Sequence, residues 1–124
     1  TTVPVHLCGD ISHGFADAQR RVIHDNAELF KIGIPHMVEF HFKNTDDHFE
    51  STFGFSHDEC KRGIVDLHEL KDLIFDNTAR WPVAEVTGYL EIGGPKLGRD
   101  YSDRDLGRSL VDSLAALRSV FGSF

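Results

Sequence analysis

The chain has 124 residues, of which 40% are hydrophobic and 27% charged, the balance of an ordinary globular domain. Its net charge is −7 and its acids are scattered, which disfavours a nucleic-acid groove because such a groove needs a basic stripe. No apolar run reaches the ~20 residues of a membrane span. Cys8 and Cys60 have neither zinc-ribbon nor CxxC spacing. We therefore expect one cytoplasmic domain over residues 1–124, without nucleic-acid or membrane partners.

The first half of the chain alternates strand and helix patterns. Residues 4–10 (PVHLCGD) predict a strand, and residues 16–32 have the period of a helix, with Gly33 as its C-terminal cap. Residues 37–42 (MVEFHF) predict a second strand. We expect a long loop over residues 43–63.

The second half repeats the alternation. Asp66 is a predicted N-cap, and the helix after it carries an apolar stripe of Leu67, Leu70, Leu73 and Ile74. Residues 86–92 (VTGYLEI) predict a third strand. The last helix follows a glycine-rich turn, and its apolar face contains Leu106, Leu110, Leu114, Leu117 and Phe121. Alternating strands and helices predict three βα units with parallel strands.

The period of two separates the faces of these strands. Apolar residues share one face, namely Val5, Leu7, Val38, Phe40, Phe42, Val86, Leu90 and Ile92. The opposite face collects His6, Cys8, Asp10, Met37, Glu39, His41, Thr87, Tyr89 and Glu91. A doubly wound sheet is covered by helices on both faces, so a polar face fits a barrel interior better. Three units cannot close an eight-stranded barrel, and we expect part of a larger barrel or an assembly that borrows strands.

Three polar residues end the strands on that face. Asp10, His41 and Glu91 offer two carboxylates and one imidazole, a donor set that suits Mn²⁺, Mg²⁺, Co²⁺ or Zn²⁺. The alternative interpretation is that each is an isolated polar residue at the point where a strand surfaces. Their common face favours a divalent-metal site.

Short motifs around these residues resemble a known family. CGDISHG gives Asp-x-x-His after a strand, EFHFKN resembles a His-x-Lys-Asp strand end, and GYLEIGG resembles a glutamate-bearing final strand. Their order is similar to the C-terminal part of the xylose isomerase-like TIM barrels. The resemblance covers essentially the whole chain and implies a partial (β/α)8 barrel. It also implies a divalent-metal-dependent sugar or sugar-phosphate isomerase or epimerase that works by enediolate proton transfer.

The resemblance assigns roles to individual positions. It implies that Asp10, His41 and Glu91 bind the metal, that Glu91 is also a proton-transfer base, and that His13 and Lys43 contact the substrate. Lys96 and Arg99 stand before the last helix, where barrels often bind phosphate, although an ordinary solvated turn explains them equally well.

The chain also departs from the family pattern. Asn44 stands where Asp is commoner, an arginine that the epimerases place after the metal histidine is missing, and the family's first metal glutamate belongs to an earlier strand. That glutamate is also the second base, so we expect this chain alone to be nearly inactive.

Other functions remain open at this point. A polyol dehydratase shares the barrel, and a barrel fragment could bind metal or a partner without turnover. An abasic-site endonuclease would need a richer ligand cluster and a basic face, which the composition disfavours. We expect a homo-oligomer, or a complex with a complementing N-terminal segment, that binds a small sugar or sugar phosphate.

Overall fold

The computed structural model describes residues 2–93 and 104–122, which form a mixed α/β structure. The strands are β1 (Leu7–Asp10), β2 (Phe15–Ala16), β3 (Val22–His24), β4 (Met37–Phe42) and β5 (Thr87–Leu90). The helices are α1 (Asn26–Gly33), α2 (His57–Arg62), α3 (Leu67–Asp76) and α4 (Arg104–Phe121). Across the two described ranges, no helix is long and apolar enough to cross a membrane.

A three-stranded parallel sheet is the centre of the structure. Its order is β1-β4-β5, and both neighbouring pairs are parallel. The predicted parallel arrangement of the three strands is therefore confirmed. The strands within residues 2–93 and 104–122 do not close a barrel, so the TIM-barrel fold stays a prediction.

The hydrophobic core lies on one face of this sheet. Phe40 and Phe42 of β4 are buried there and meet edge to face, with 4.7 Å between ring centroids. Phe30 of α1 packs on Phe40, and Phe121 of α4 packs on Phe42. Edge-to-face contacts suit the charge distribution of aromatic rings and add about 0.5–1.5 kcal/mol per pair to simple burial. The predicted apolar face thus packs under helices at Phe40 and Phe42. It does not at Val5 and Leu7, which are 89% and 50% exposed, and the first strand begins at Leu7 instead of at residue 4.

The opposite face of the sheet is partly exposed. Cys8 is exposed and Tyr89 is 51% exposed on this face. Met37 was expected beside them, but it is 4% exposed and its Sδ fills the space that a side chain at Gly9 would need. The register of β1 against β4 slips after Leu7, which pairs with Met37. This irregularity moves Met37 to the core face and breaks the period of two.

The helix predicted over residues 16–32 is wrong in its first half. That part forms the antiparallel β2–β3 pair, and the helix begins only after Asp25, whose carboxylate accepts from two backbone N–H groups. Asp17 closes the hairpin by accepting from Gln19 N and Arg21 N. Aspartate side chains compete with the helix ladder in this way, and hydrophobic period does not reveal it.

The other helix and loop boundaries differ less from the predicted ones. Gly33 ends α1 but keeps a right-handed φ of −71°, because the chain continues into a 3-10 turn at Ile34–His36. The predicted loop at 43–63 contains α2, which begins at a capping box formed by Ser56 and Glu59. Asp66 caps α3 as predicted.

The last two helices bury much of their predicted stripes. Leu67 and Leu70 of α3 are buried. In α4 the C-terminal half is covered best, since Leu117 is 2% exposed while Leu110 is 39% exposed. Ser113, which no apolar pattern would select, is fully buried and accepts a hydrogen bond from the backbone of the segment before α2.

Candidate metal centre

The candidate site lies where the three parallel strands end. Asp10 pairs in register with His41, and His41 pairs with Tyr89 of β5. Glu91 follows two residues after Tyr89 and therefore lies on the same face, one pleat further along. Its N–H donates to Phe42 O at 3.0 Å, so the ladder continues past the end of β5 and fixes the Glu91 backbone.

The three side chains converge. His41 Nδ1 lies 2.8 Å from Glu91 Oε2 and 3.9 Å from Asp10 Oδ2. One potential ligand atom from each residue lies within 4.8 Å of the other two. The juxtaposition expected from strand parity is present, and the binding of a metal there stays a prediction.

Asp10 is the most firmly held of the three. Ser12 donates to Asp10 Oδ1 twice, from its backbone N–H at 2.8 Å and from its hydroxyl at 2.7 Å. Burial raises the pKa of the Asp10 carboxyl, but hydrogen bonds from Ser12 and Lys43 outweigh that effect and hold the pKa below its ordinary value of 3.8. Asp10 is therefore a carboxylate at neutral pH, the form that a metal requires.

Lys43 lies inside the carboxylate pair. Its Nζ donates to Asp10 Oδ2 at 3.1 Å and lies 3.6 Å from Glu91 Oε1. The side chain is only 10% exposed, as is expected for a lysine whose charge is balanced by two acids. Lys43 therefore lies at the site, where it contacts the Asp10 and Glu91 carboxylates. Its predicted contact with substrate stays a prediction.

The remaining predicted substrate contacts divide into two groups. His13 Nε2 lies 3.2 Å from Asp10 Oδ2, and its side chain is 68% exposed at the edge of the site. This position leaves a ring edge open to solvent, and substrate contact by His13 stays a prediction. Lys96 and Arg99 lie outside the described residues.

Two residues near the site were not assigned their structural roles from sequence. Ser12 anchors Asp10, and the Asp-x-Ser spacing of a side-chain turn was the available signal. Asn44 is fully buried, and its Oδ1 accepts from Thr45 N and Val65 N. It therefore ties the end of β4 to the segment before α3.

A second acidic group has a structural explanation. Asp46, Asp47 and His48 place potential ligand atoms close together in the loop after β4. Both Asp46 oxygens are already engaged, because Oδ1 accepts from His48 N and Glu50 N while Oδ2 accepts from the Ser51 hydroxyl. These bonds close a turn, so the group needs no metal to account for it.

The donors at the strand ends fit a divalent metal. Two carboxylate oxygens and one imidazole nitrogen are a common ligand set for Mn²⁺, Co²⁺ and Zn²⁺. Asp10 Oδ1 is anchored by Ser12, and Oδ2 contacts Lys43 at 3.1 Å and His13 at 3.2 Å, so a metal would displace these groups from Oδ2. Glu91 is 43% exposed, which leaves access from solvent. Water would complete the coordination of a bound metal.

Comparison of the chain with protein-family models, curated proteins and solved structures finds no match. The likeness to xylose isomerase-like barrels therefore remains a hypothesis that depends on three short motifs and their order.

Proposed function

We propose that this chain carries the divalent-metal site of a sugar or sugar-phosphate isomerase or epimerase. The observation that carries the proposal is the convergence of Asp10, His41 and Glu91 from the ends of three adjacent parallel strands. Barrel enzymes place their chemistry at that end of the strands. The exposed thiols of Cys8 and Cys60 are unpaired, which suits a cytoplasmic location.

Each residue has a distinct task in the proposed reaction. Asp10, His41 and Glu91 hold the metal, which when bound would act as a Lewis acid toward the substrate carbonyl. Glu91 is also suited to move a proton from the carbon beside that carbonyl, because one carboxylate oxygen can face the substrate while the other holds the metal. His13, at the exposed edge, is suited to hold a substrate hydroxyl.

The available bases limit the expected reaction. Epimerisation inverts a carbon and needs two bases on opposite faces of it, whereas one base suffices to exchange a proton with solvent. Glu91 is the proposed base on one face of that carbon. In the family that the chain resembles, the base on the other face is a glutamate from an earlier strand. A complementing segment or a second subunit would supply it, and we expect slow exchange without inversion from the chain alone.

Deuterium incorporation tests this proposal. The chain is incubated in D₂O with Mn²⁺ and a panel of ketoses and ketose phosphates, and the carbon-bound proton is followed by NMR. The expected result is slow, Mn²⁺-dependent incorporation that Glu91→Gln abolishes. His68→Gln, which changes an exposed histidine of α3, is the matched control and should exchange at the wild-type rate. Exchange that is absent, or indifferent to Mn²⁺ and to Glu91, contradicts the proposal.

A further inference from the structure

Lys43 follows His41 by two residues and points to the same side of β4. Its backbone is fixed immediately afterwards, since Asn44 and Phe53 exchange two backbone hydrogen bonds of 2.8 Å each. The Lys43 side chain is buried, and its ammonium lies between the carboxylates of Asp10 and Glu91. The positive charge is therefore a built part of the site.

The ammonium contacts the oxygens that face the site. Asp10 Oδ1 is occupied by Ser12, which leaves Oδ2 as the oxygen directed toward His41 at 3.9 Å and toward the exposed His13 at 3.2 Å. Lys43 Nζ lies 3.1 Å from that same Oδ2. On the other side, Glu91 presents Oε2 to His41 and Oε1 to Lys43. Lysine and an incoming cation would thus share the Asp10 oxygen.

Two roles for such a lysine make opposite predictions. In the first role, the lysine contacts the carboxylate oxygen that does not bind the metal. It then orients the carboxylate and strengthens metal binding, and its loss typically costs about 10–100-fold in metal affinity. A lysine on the ligand oxygen repels the metal, and the low exposure of Lys43 and Asp10 weakens solvent screening of that repulsion. The contact with Oδ2 favours repulsion.

We infer that Lys43 is a tethered counter-cation that competes with the divalent metal for the Asp10 and Glu91 carboxylates. In the metal-free protein it neutralises one of the two negative charges and stabilises the site. When the metal binds, the ammonium is displaced from Asp10 Oδ2 and becomes available to a substrate oxygen. This inference rests on the proposed metal site and adds that Lys43 sets its affinity.

Metal titration of charge-neutral variants tests the inference. Lys43→Met keeps the length of the side chain, and Lys43→Gln keeps a hydrogen-bond donor in case the Met variant folds poorly. A neighbouring cation lowers the affinity of a carboxylate for a proton by about 10–1,000-fold. We therefore expect calorimetry to show Mn²⁺ binding at least about tenfold tighter in both variants. Lys61→Met, which removes a charge that pairs with Asp58 on α2, is the control and should bind as wild type does.

Thermal unfolding separates competition from a purely structural role. The Met variant should unfold at a lower temperature than wild type without metal, and saturating Mn²⁺ should raise its unfolding temperature by more. Equal Mn²⁺-induced shifts, or equal or weaker Mn²⁺ binding in both Lys43 variants, overturn the inference while the metal site stands. Mn²⁺ binding that is detected in the Lys43 variants but not in wild type supports the inference. Absence of Mn²⁺ binding from wild type and both variants removes the proposed metal site and the inference together.

Discussion

Replacing Asp10 by Asn tests how strongly the Asp10–Lys43 pair stabilises the fold. The two side chains are 11% and 10% exposed, and Nζ lies 3.1 Å from Oδ2. Asparagine keeps the size of the side chain and an oxygen for the two Ser12 donors, but it removes the charge that balances the ammonium. We expect the free energy of unfolding to fall.

The magnitude follows from what the variant retains. Breaking a buried ion pair by removing one partner costs about 3–5 kcal/mol. Here Glu91 Oε1 remains 3.6 Å from Lys43 Nζ, so the ammonium keeps one counter-charge. The Ser12 bonds persist as neutral hydrogen bonds, worth about 1 kcal/mol each. We therefore expect Asp10→Asn to lower the free energy of unfolding by roughly 2–3 kcal/mol at pH 7.

The pH dependence has a definite sign. The pKa of Asp10 is lower in the folded protein than its ordinary value, so the folded state binds the proton more weakly than the unfolded chain does. The resulting stability is complete above the unfolded pKa and is lost as the pH falls through the folded pKa. The stability gap between wild type and Asp10→Asn should be full at pH 7 and shrink below about pH 4.

Urea unfolding with a chelator present, at a series of pH values, measures this gap. Asp46→Asn is the matched control, because Asp46, like Asp10, accepts from a serine hydroxyl and from the backbone, from two N–H groups where Asp10 accepts from one. It should cost less, about 1–2 kcal/mol, because weaker hydrogen bonds are its main loss. An Asp10→Asn cost no larger than that of the control, or a gap that does not shrink in acid, would refute the importance of the Lys43 pair.

Two further predictions concern the surface and the core. Val5 is 89% exposed and Leu7 is 50% exposed beside the outer edge of β1, and unpaired strand edges promote association. Sedimentation at micromolar concentration should therefore show species larger than a monomer, and a well-folded monomer would contradict this prediction. Ser113→Ala removes the acceptor of the Phe55 N–H bond and should lower urea-unfolding stability by about 1–2 kcal/mol, whereas Ser119→Ala on the exposed side of α4 should change it by less than about 0.5 kcal/mol. Equal effects of the two serine variants would show that the buried bond contributes little.

The sequence predicts most reliably the features that depend on local pattern. β4 has the predicted bounds because MVEFHF is rich in strand-forming residues, and Asp66 caps α3 because its carboxylate precedes an apolar helical stripe. The convergence of the site residues was predictable too, since adjacent parallel strands end at one edge and the period of two put Asp10, His41 and Glu91 on one face.

The remaining features depend on contacts that local pattern does not encode. Met37 left its expected face because of a slip in the pairing of β1 with β4, which is a property of two strands together. The β2–β3 hairpin forms in place of a helix because Asp17 accepts from backbone N–H groups in the hairpin turn and Asp25 accepts from the first N–H groups of α1. The Lys43 ion pairs needed the fold, since Asp10 is 33 positions away in the chain.

Metal-induced stabilisation of the wild type and of His41→Ala is the most direct test of the site. A ligand that binds only the folded state at 100 times its Kd stabilises it by about 2.7 kcal/mol. The metal-site proposal predicts that excess Mn²⁺ raises the unfolding temperature of wild type and of the control His68→Ala, and that His41→Ala loses most of that rise. An equal rise in all three proteins, or none in wild type, would contradict a metal centre formed by Asp10, His41 and Glu91.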